Sequence, residues 1–380
     1  MAEREIPVAR VECLSCGHTE YQMSSLGLGE LLKGRCPRCR GDMAVTGKEL
    51  PGEWRGVLSS VEKEFSVVDF VLGKEGGEFE VEARPGSSFS RLLRKLRSGG
   101  KVAALRRVGG TLYLRVLSLP PRKEARPYLH LLLLVLTLLS TFGFSYLLIF
   151  GDTVKALLFS TSLMVILASH ELGHGLAARR NGVEASPPYF IPAPTYLGTL
   201  GAVVRVKSPI PTRDALVEVG ASGPLLGFAL ALVISSLGLA LGGSGEAPVF
   251  ATPVLLLLRS ALGGGLDNPL VLSGSVMMVI TFLNLLPAGQ LDGGHVARGL
   301  LSAEGHQTLT RGMGLGLLFS GFLLPEYPFW LWGLLILFFF GRPHAGVLDD
   351  LSPLSPSHRL LALATFLLLP LTFPLPGWPA

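Results

Sequence analysis

The stretch "VILASHELGHGLAARRNG", residues 165–182, sets two histidines, a glutamate and two arginines into a run that otherwise reads as a lipid-facing helix. Ionisable side chains inside an apolar span are costly, so a chain that keeps them there needs something to compensate them. His170 and His174 are four residues apart, which on a helix stacks them on one face. Two imidazoles at that spacing can bind one zinc ion, with Glu171 projecting beside the position left for water. The bland reading is a pair of helix histidines bonded to the backbone, with Glu171 as an ion-pair partner. Inside an apolar span unpaired polar groups are far less tolerable than in a soluble helix, which favours the metal.

Whether residues 165–182 do lie in an apolar span is answered by composition. Of 380 residues 49% are hydrophobic and only 16% charged, a membrane-protein profile. The polarity is concentrated in residues 1–127, and most of the remainder is long apolar runs broken by Pro, Gly and short polar connections. From Arg91 to Arg126 there are eleven Lys and Arg against one acidic residue, Glu124, just before the first apolar run at Tyr128. That is the charge bias of a cytoplasmic entry into a membrane. It lacks the interleaved aromatics of a nucleic-acid surface, so no nucleic acid is expected as a partner. Met1 leads into "AEREIPVARVECLSC" with no apolar signal segment, so the N-terminal part is expected to stay cytoplasmic, attached to a multi-pass protein of the cell membrane.

All four cysteines lie in this polar part. Cys13, Cys16, Cys36 and Cys39 give C-x2-C-x19-C-x2-C, a spacing that lets two tight turns present four sulfurs to one structural zinc. Two disulfides are the alternative, disfavoured in a domain that is not exported. Such a zinc site is closed to substrate, so no catalysis is placed there.

Residues 1–48 therefore read as a zinc ribbon and 49–127 as a small α+β domain with its linker. "SVVDFVLG" and "GEFEVEA" alternate as strands around "KEGG", "SSFSRLLRKLR" has a Ser cap and helical apolar spacing, and "KVAALRRVGGTLYLRVL" turns as a hairpin at Gly109-Gly110. "LPPRKEARP" is a stiff linker. Membrane spans are expected over 128–150, about 154–178, about 214–242, from near Leu270 into "NLLPAGQLDGGH", and over 309–324, 328–341 and 358–376. "PVLLLLRSAL" reads as interfacial. The fold class is a polytopic α-helical membrane protein of about six to seven transmembrane helices, with a short β segment in "GTLGAVVRV". Residues 128–345 form its core and 346–380 a C-terminal transmembrane segment.

Zinc held for hydrolysis needs a third protein ligand and an open fourth position. Asp292, in "QLDGGH", is the best carboxylate among the spans, and His295 three residues on is its rival. Asp214, Asp267 and Glu304 flank spans and read as interfacial charges.

The "HELGH" and "NLLPAGQLDGG" segments together resemble the site-2 protease family of intramembrane zinc metalloproteases, over roughly residues 128–345. The resemblance implies that His170, His174 and Asp292 hold a catalytic zinc, that Glu171 is the general base, and that Asn284 steadies the oxyanion or positions substrate. "ASGPLLGFALAL" is similar to the family's Gly-rich third span. "PYFIPAPTYLGTLGAVVRVKSPIPTRDAL" resembles the branch of chloroplast membrane proteases and their prokaryotic relatives. One departure is visible: many members carry a second proline where this chain has Gly289 and Gln290. No room is left between the spans for an inserted PDZ domain. The implied activity is hydrolysis of peptide bonds in or near transmembrane segments of substrate proteins within the lipid bilayer, with one catalytic and one structural zinc. A catalytically silent scaffold that binds membrane helices is the other class, and the intact Glu171 argues against it.

Overall fold

A computed structural model describes residues 7–74, 76–119, 127–243, 245, 251–325 and 327–375. The linker expected at "LPPRKEARP" lies outside the described residues except for Leu119 and Pro127. The chain divides into two compact units, Met1–Lys123 with Leu348–Ser352, and Glu124–Val347 with Pro353–Ala380.

The first unit runs β1 (Val8–Cys13), β2 (Thr19–Met23), β3 (Leu31–Arg35), β4 (Asp42–Gly47), α1 (Gly52–Glu64), β5 (Phe65–Leu72), β6 (Gly76–Ala83), α2 (Phe89–Ser98), β7 (Lys101–Val108) and β8 (Thr111–Ser118). All eight strands join one antiparallel sheet in the order β3-β4-β1-β2-β5-β6-β8-β7. The cysteine-bearing strands and the α+β strands thus share one set of ladders, through the pairing of Tyr21 with Leu72. The β7–β8 hairpin turns at Gly109 and Gly110, with φ of 58° and 92°. Two consecutive positive φ angles match the right-handed twist of the strands, and glycine adopts them without a Cβ clash.

α2 starts where its sequence says, with the Ser88 side chain accepting from the Arg91 N–H, and buries Phe89, Leu92, Leu93 and Leu96 on one face. α1 has the same logic at Trp54, Val57 and Val61. Both apolar faces join Phe70, Phe79, Leu114 and Val116 of the sheet in one core. The segment Leu348–Ser352 lies along β7, where the Leu105 N–H donates to the Leu348 carbonyl at 2.9 Å. This covers part of an edge strand that would otherwise present unpaired backbone.

The second unit begins with α3 (Pro127–Ser145), which ends in a π-turn over Tyr146–Phe150, and α4 (Thr153–Arg180). A β-hairpin follows, β9 (Tyr189–Pro192) and β10 (Thr199–Val203), then α5 (Arg213–Ala240), α6 (Pro253–Leu262) and α7 (Pro269–Asn284). The remaining helices are α8 (Asp292–Leu300), α9 (Ala303–Leu323), α10 (Phe329–Leu335) with a π-turn to Phe340, α11 (Pro356–Phe366) and α12 (Leu368–Thr372).

Among the described residues three helices are long and apolar enough to cross a membrane, Tyr128–Phe150, Thr153–Arg180 and Arg213–Ala240. α7, with 16 residues, spans only about 24 Å, short of a hydrocarbon core of about 30 Å. The expected C-terminal span is broken into α11 and α12. Burial orders the long helices: 17% of the apolar window of the first is buried against 61% for α4. α4 is the inner helix, and it buries Ser160, Ser162, His170 and Glu171 against protein.

The β9–β10 hairpin is fixed to α3. His130 donates from Nδ1 to the Pro188 carbonyl at 3.1 Å and packs its ring on Tyr189 at 4.1 Å. At the turn, Gly198 has φ 72°, and a Cβ there would lie 2.5 Å from Cα of Thr141, so only glycine allows this approach.

One pair reports on the first unit alone. Arg91 grips Glu64 through Nε at 2.9 Å and a terminal nitrogen at 3.0 Å, and the Ser88 N–H adds a bond at 2.9 Å. The hydrogen-bonded guanidinium holds the Glu64 carboxyl below its ordinary value. A carboxylate lowered on folding contributes stability above its unfolded pKa, and that contribution is lost as pH falls through the folded value. Arg91→Ala should therefore destabilise the unit modestly at pH 7, where the Glu64 carboxylate is charged. The difference should shrink as pH falls through the lowered folded value and the carboxylate is protonated in both states. Urea unfolding of the full chain, followed by Trp54 fluorescence with the other tryptophans replaced by Phe, checks this. A penalty independent of pH would reject it.

Candidate active site

α4 buries His170 and Glu171, and carries His174 one turn on. Nε2 of His170 and Nε2 of His174 stand 3.1 Å apart. Asp292, the first residue of α8, brings its carboxylate oxygens to 3.2 Å from His170 Nε2 and 3.4 Å from His174 Nε2. A tetrahedral zinc with ligand bonds of about 2.0–2.1 Å has ligand–ligand edges of about 3.3–3.4 Å, close to the nitrogen–nitrogen separation and to the distance from each imidazole to its nearer carboxylate oxygen.

Hydrogen bonding supports the fit. The His174 Nδ1–H donates to the Val219 carbonyl at 2.7 Å, which puts the proton on Nδ1 and leaves the Nε2 lone pair facing the site. Asp292 Oδ2 and His170 Nδ1 are buried without a hydrogen-bond partner. A buried, unbonded carboxylate oxygen set against two imidazole nitrogens is expensive unless a cation balances it. His170, His174 and Asp292 can hold a metal ion, and zinc suits two imidazoles and one carboxylate.

Glycines make the approach possible. On α5, a Cβ at Gly223 would lie 2.1 Å from His174 Nε2, and one at Gly227 would lie 3.0 Å from the His170 Cβ. One at Gly220 would meet the Asp292 carbonyl at 2.8 Å. α4 and α8 can thus rest against α5 at backbone distance. Between α7 and α8 the chain folds back so tightly that a Cβ at Gly293 would lie 2.0 Å from the Leu285 carbonyl. Gly289, in that turn, has φ 55° and donates its N–H to Thr310 Oγ1 at 3.0 Å. Proline could supply neither the angle nor the N–H, which accounts locally for this chain's Gly289.

Of the two neighbours the sequence left in contention, Asp292 faces the histidines, while His295 Nδ1 is 2.7 Å from His344 Nε2. Glu171 is 5% exposed and takes a hydrogen bond from the backbone N–H of Val204, just past β10. Asn284 ends α7, and its side chain makes no hydrogen bond to a described residue. Asp214 and Asp267 are occupied with loop backbone, accepting from the N–H groups of Ser355 and Gly245. Sequence reading missed the Val219, Val204 and His344 partners. The first two are backbone groups that carry no side-chain signature, and His344 lies 49 residues from its partner.

The cysteines form a second cluster, all four sulfurs within 4.8 Å of one another. Cys13 and Cys39 are 3.4 Å apart and Cys16 and Cys36 3.7 Å, close to the edges of about 3.8 Å expected for zinc–sulfur bonds of about 2.3 Å. Two matching knuckles shape it. Gly17 N–H bonds to the Cys13 carbonyl and Arg40 N–H to that of Cys36, and both Gly17 and Arg40 are left-handed, at φ 68° and 63°. In each knuckle a backbone N–H reaches sulfur at 3.4 Å, from Ser15 to Cys13 and from Gly41 to Cys39. This cluster fits a structural zinc.

Comparison with known proteins places the first cluster. Residues 158–324 match the model of Peptidase family M50, a stretch that holds both "HELGH" and Asp292. Among similar proteins, the probable zinc metalloprotease EGY2, chloroplastic, of Arabidopsis thaliana is 34% identical over 221 residues, 54% of this chain and 38% of that protein. The probable zinc metalloprotease EGY1, chloroplastic, of Oryza sativa subsp. japonica is 31% identical over 246 residues, 59% of this chain and 41% of that protein. The chain thus spans about two fifths of the length of these relatives. No solved structure matches it.

Gly223→Ala should push the His174 ring off its position and lower the zinc content of purified protein by about one equivalent. Gly175→Ala, on α4 with nothing within 4 Å of its added methyl, is the control and should leave the content unchanged. Equal zinc in both variants, measured by atomic emission, would show that α5 does not set the ligand geometry.

Proposed function

We propose that the M50 domain of this chain is an intramembrane zinc endopeptidase that hydrolyses peptide bonds in or near transmembrane segments of other membrane proteins. The observation that carries this reading is the convergence of His170, His174 and Asp292 to 3.1–3.4 Å, with Glu171 buried on the same helix turn. When bound, zinc acidifies water to near-neutral pKa and polarises a carbonyl.

The residues of the chain supply the rest. Glu171 takes the proton as water adds to the scissile carbonyl, then delivers it to the nitrogen as the C–N bond breaks. Low exposure and the Val204 N–H hold its carboxylate in one place. His174 is kept in its ligating tautomer by Val219, and Asp292 is held by the folded turn before α8. Asn284, with amide hydrogens free of other described groups, is assigned to the oxyanion or to the substrate backbone.

A helix cannot be cut while its amides are shielded, so the substrate must extend locally. In the two-stranded sheet β10 pairs only with β9, and its far edge is open among the described residues. A substrate strand added there would run past Val204 toward Glu171, which makes β10 the proposed docking edge. The natural substrate is a membrane protein, and the bilayer is the medium.

The three long helices, with α7 and the helices after it completing partial crossings, make up six to seven spans in this reading. The location is the cell membrane, with the N-terminal unit cytoplasmic, on the side of Arg179 and Arg180. One zinc serves catalysis, and the other serves the cysteine cluster.

Glu171→Gln should retain zinc and lower cleavage of helical membrane substrates by at least about 100-fold, the lower range for a general base. Equal turnover by both proteins would sink the mechanism. A wild-type protein that binds such helices and cuts none would make the domain a silent scaffold.

Topology gives a separate check. Reporters placed before Tyr128 and near Gly182 should lie on the same side of the membrane. Opposite sides would mean that the first or second span is misread.

A further inference from the structure

The loop after α10 brings a histidine to the helix that carries Asp292. His344 Nδ1 accepts the Gly346 N–H at 2.9 Å, and Gly346 turns that N–H back by adopting φ 74°. A ring nitrogen that accepts carries no proton, so neutral His344 is protonated on Nε2. Nε2 of His344 lies 2.7 Å from Nδ1 of His295, so His344 donates and His295 accepts. The proton of a neutral His295 is thereby fixed on Nε2.

The His344 ring is gripped from both sides. His295 meets it edge-on at 4.9 Å and 88°, and the buried His306 meets it at 5.5 Å and 81°. His295 itself follows Asp292 by three residues on α8, so the two side chains share a helix face. His295 is half-buried, its Nε2 makes no hydrogen bond to a described residue, and Asp292 and His174 lie within its electrostatic reach.

We propose that His344 is a positioning residue for the reaction: by setting the tautomer of His295 it presents a fixed Nε2–H donor to the substrate beside the ligand set. The chain of command runs Gly346 N–H to His344 to His295, and each link is a single hydrogen bond with one allowed direction. The donor stabilises substrate oxygen during attack and is not a ligand. This assignment rests on the hydrolytic reading of the M50 domain.

Three substitutions separate the chemistry from mere packing. His344→Gln keeps an N–H for His295 and a carbonyl for Gly346. His344→Ala removes both, and His344→Glu offers His295 only an acceptor, which favours the opposite tautomer with the proton on Nδ1. The expected results are a fall in kcat of about tenfold for His344→Ala with KM and zinc content little changed, the lower range for an orienting partner. His344→Gln should recover kcat to within about threefold of wild type, and His344→Glu should be no better than His344→Ala. In His295→Ala the further loss of His344 should cost less than about twofold, because the two act as one unit.

Nitrogen-15 NMR of histidine-labelled full-length protein in bilayers reads the tautomer without any cleavage. A His295 signal protonated on Nε2 in the wild type, moving to Nδ1 in His344→Glu, supports the assignment. A His295 tautomer indifferent to all three substitutions overturns it, as does unchanged kcat in His344→Ala. If the wild type cleaves nothing, the hydrolytic reading falls, and the tautomer arm still decides whether His344 orders His295.

Discussion

Two imidazole nitrogens held 3.1 Å apart, with a carboxylate oxygen just beyond, form the constraint on which the second unit is organised. Bare imidazole lone pairs at that distance repel, and a buried carboxylate oxygen without a hydrogen bond is unfavourable, so a cation seated among them would relieve both. The cation in turn demands three donors at fixed separation from two helices distant in sequence. α4 supplies two and α8 one, and both must press on α5 more closely than side chains with a Cβ allow. In lipid such contact is also the main route to helix association, since apolar side chains gain little by leaving one hydrocarbon medium for another. The packing that makes the metal site and the packing that assembles the helices are the same contacts.

The cysteine cluster gathers its four donors by a different route. There the donors sit on turns rather than on helices, and backbone N–H groups, not packing, orient the sulfurs. Because β1, which ends at Cys13, belongs to the same sheet as β5 to β8, the order imposed at the sulfurs is carried by ladder hydrogen bonds into the half of the unit that has no cysteine.

What could be read in advance followed the range of the interaction that fixes it. The histidine pair, the Ser88 cap, the Gly109-Gly110 hairpin and the cysteine knuckles are set by residues within about a turn of one another, and all were visible in sequence. α1 was overlooked, although Trp54, Val57 and Val61 recur at helical spacing; the polar residues between them masked a short apolar face. β9 escaped because four residues with a terminal proline carry too little alternation to register. The span count rested on hydropathy runs, and hydropathy does not see the breaks that shorten α7 or split α11 from α12. Within the site, Asp292 and His295 could not be told apart by spacing, since both lie on one turn. The partner that draws His295 aside sits on a loop whose path is set by tertiary packing alone.

The glycines of α5 have a consequence for how this protein can change. Each glycine in a helix interior forgoes about 0.5–1 kcal/mol relative to alanine, so Gly220, Gly223 and Gly227 together leave the helix about 1.5–3 kcal/mol short of its propensity. Elsewhere in a protein such a deficit is an easy route to thermostability. Here every methyl that would recover it lands on a ligand or on the backbone that holds one. Heat resistance in this chain must therefore be sought in the first unit or on the lipid-facing helices, and selection on α5 is left with little room to trade.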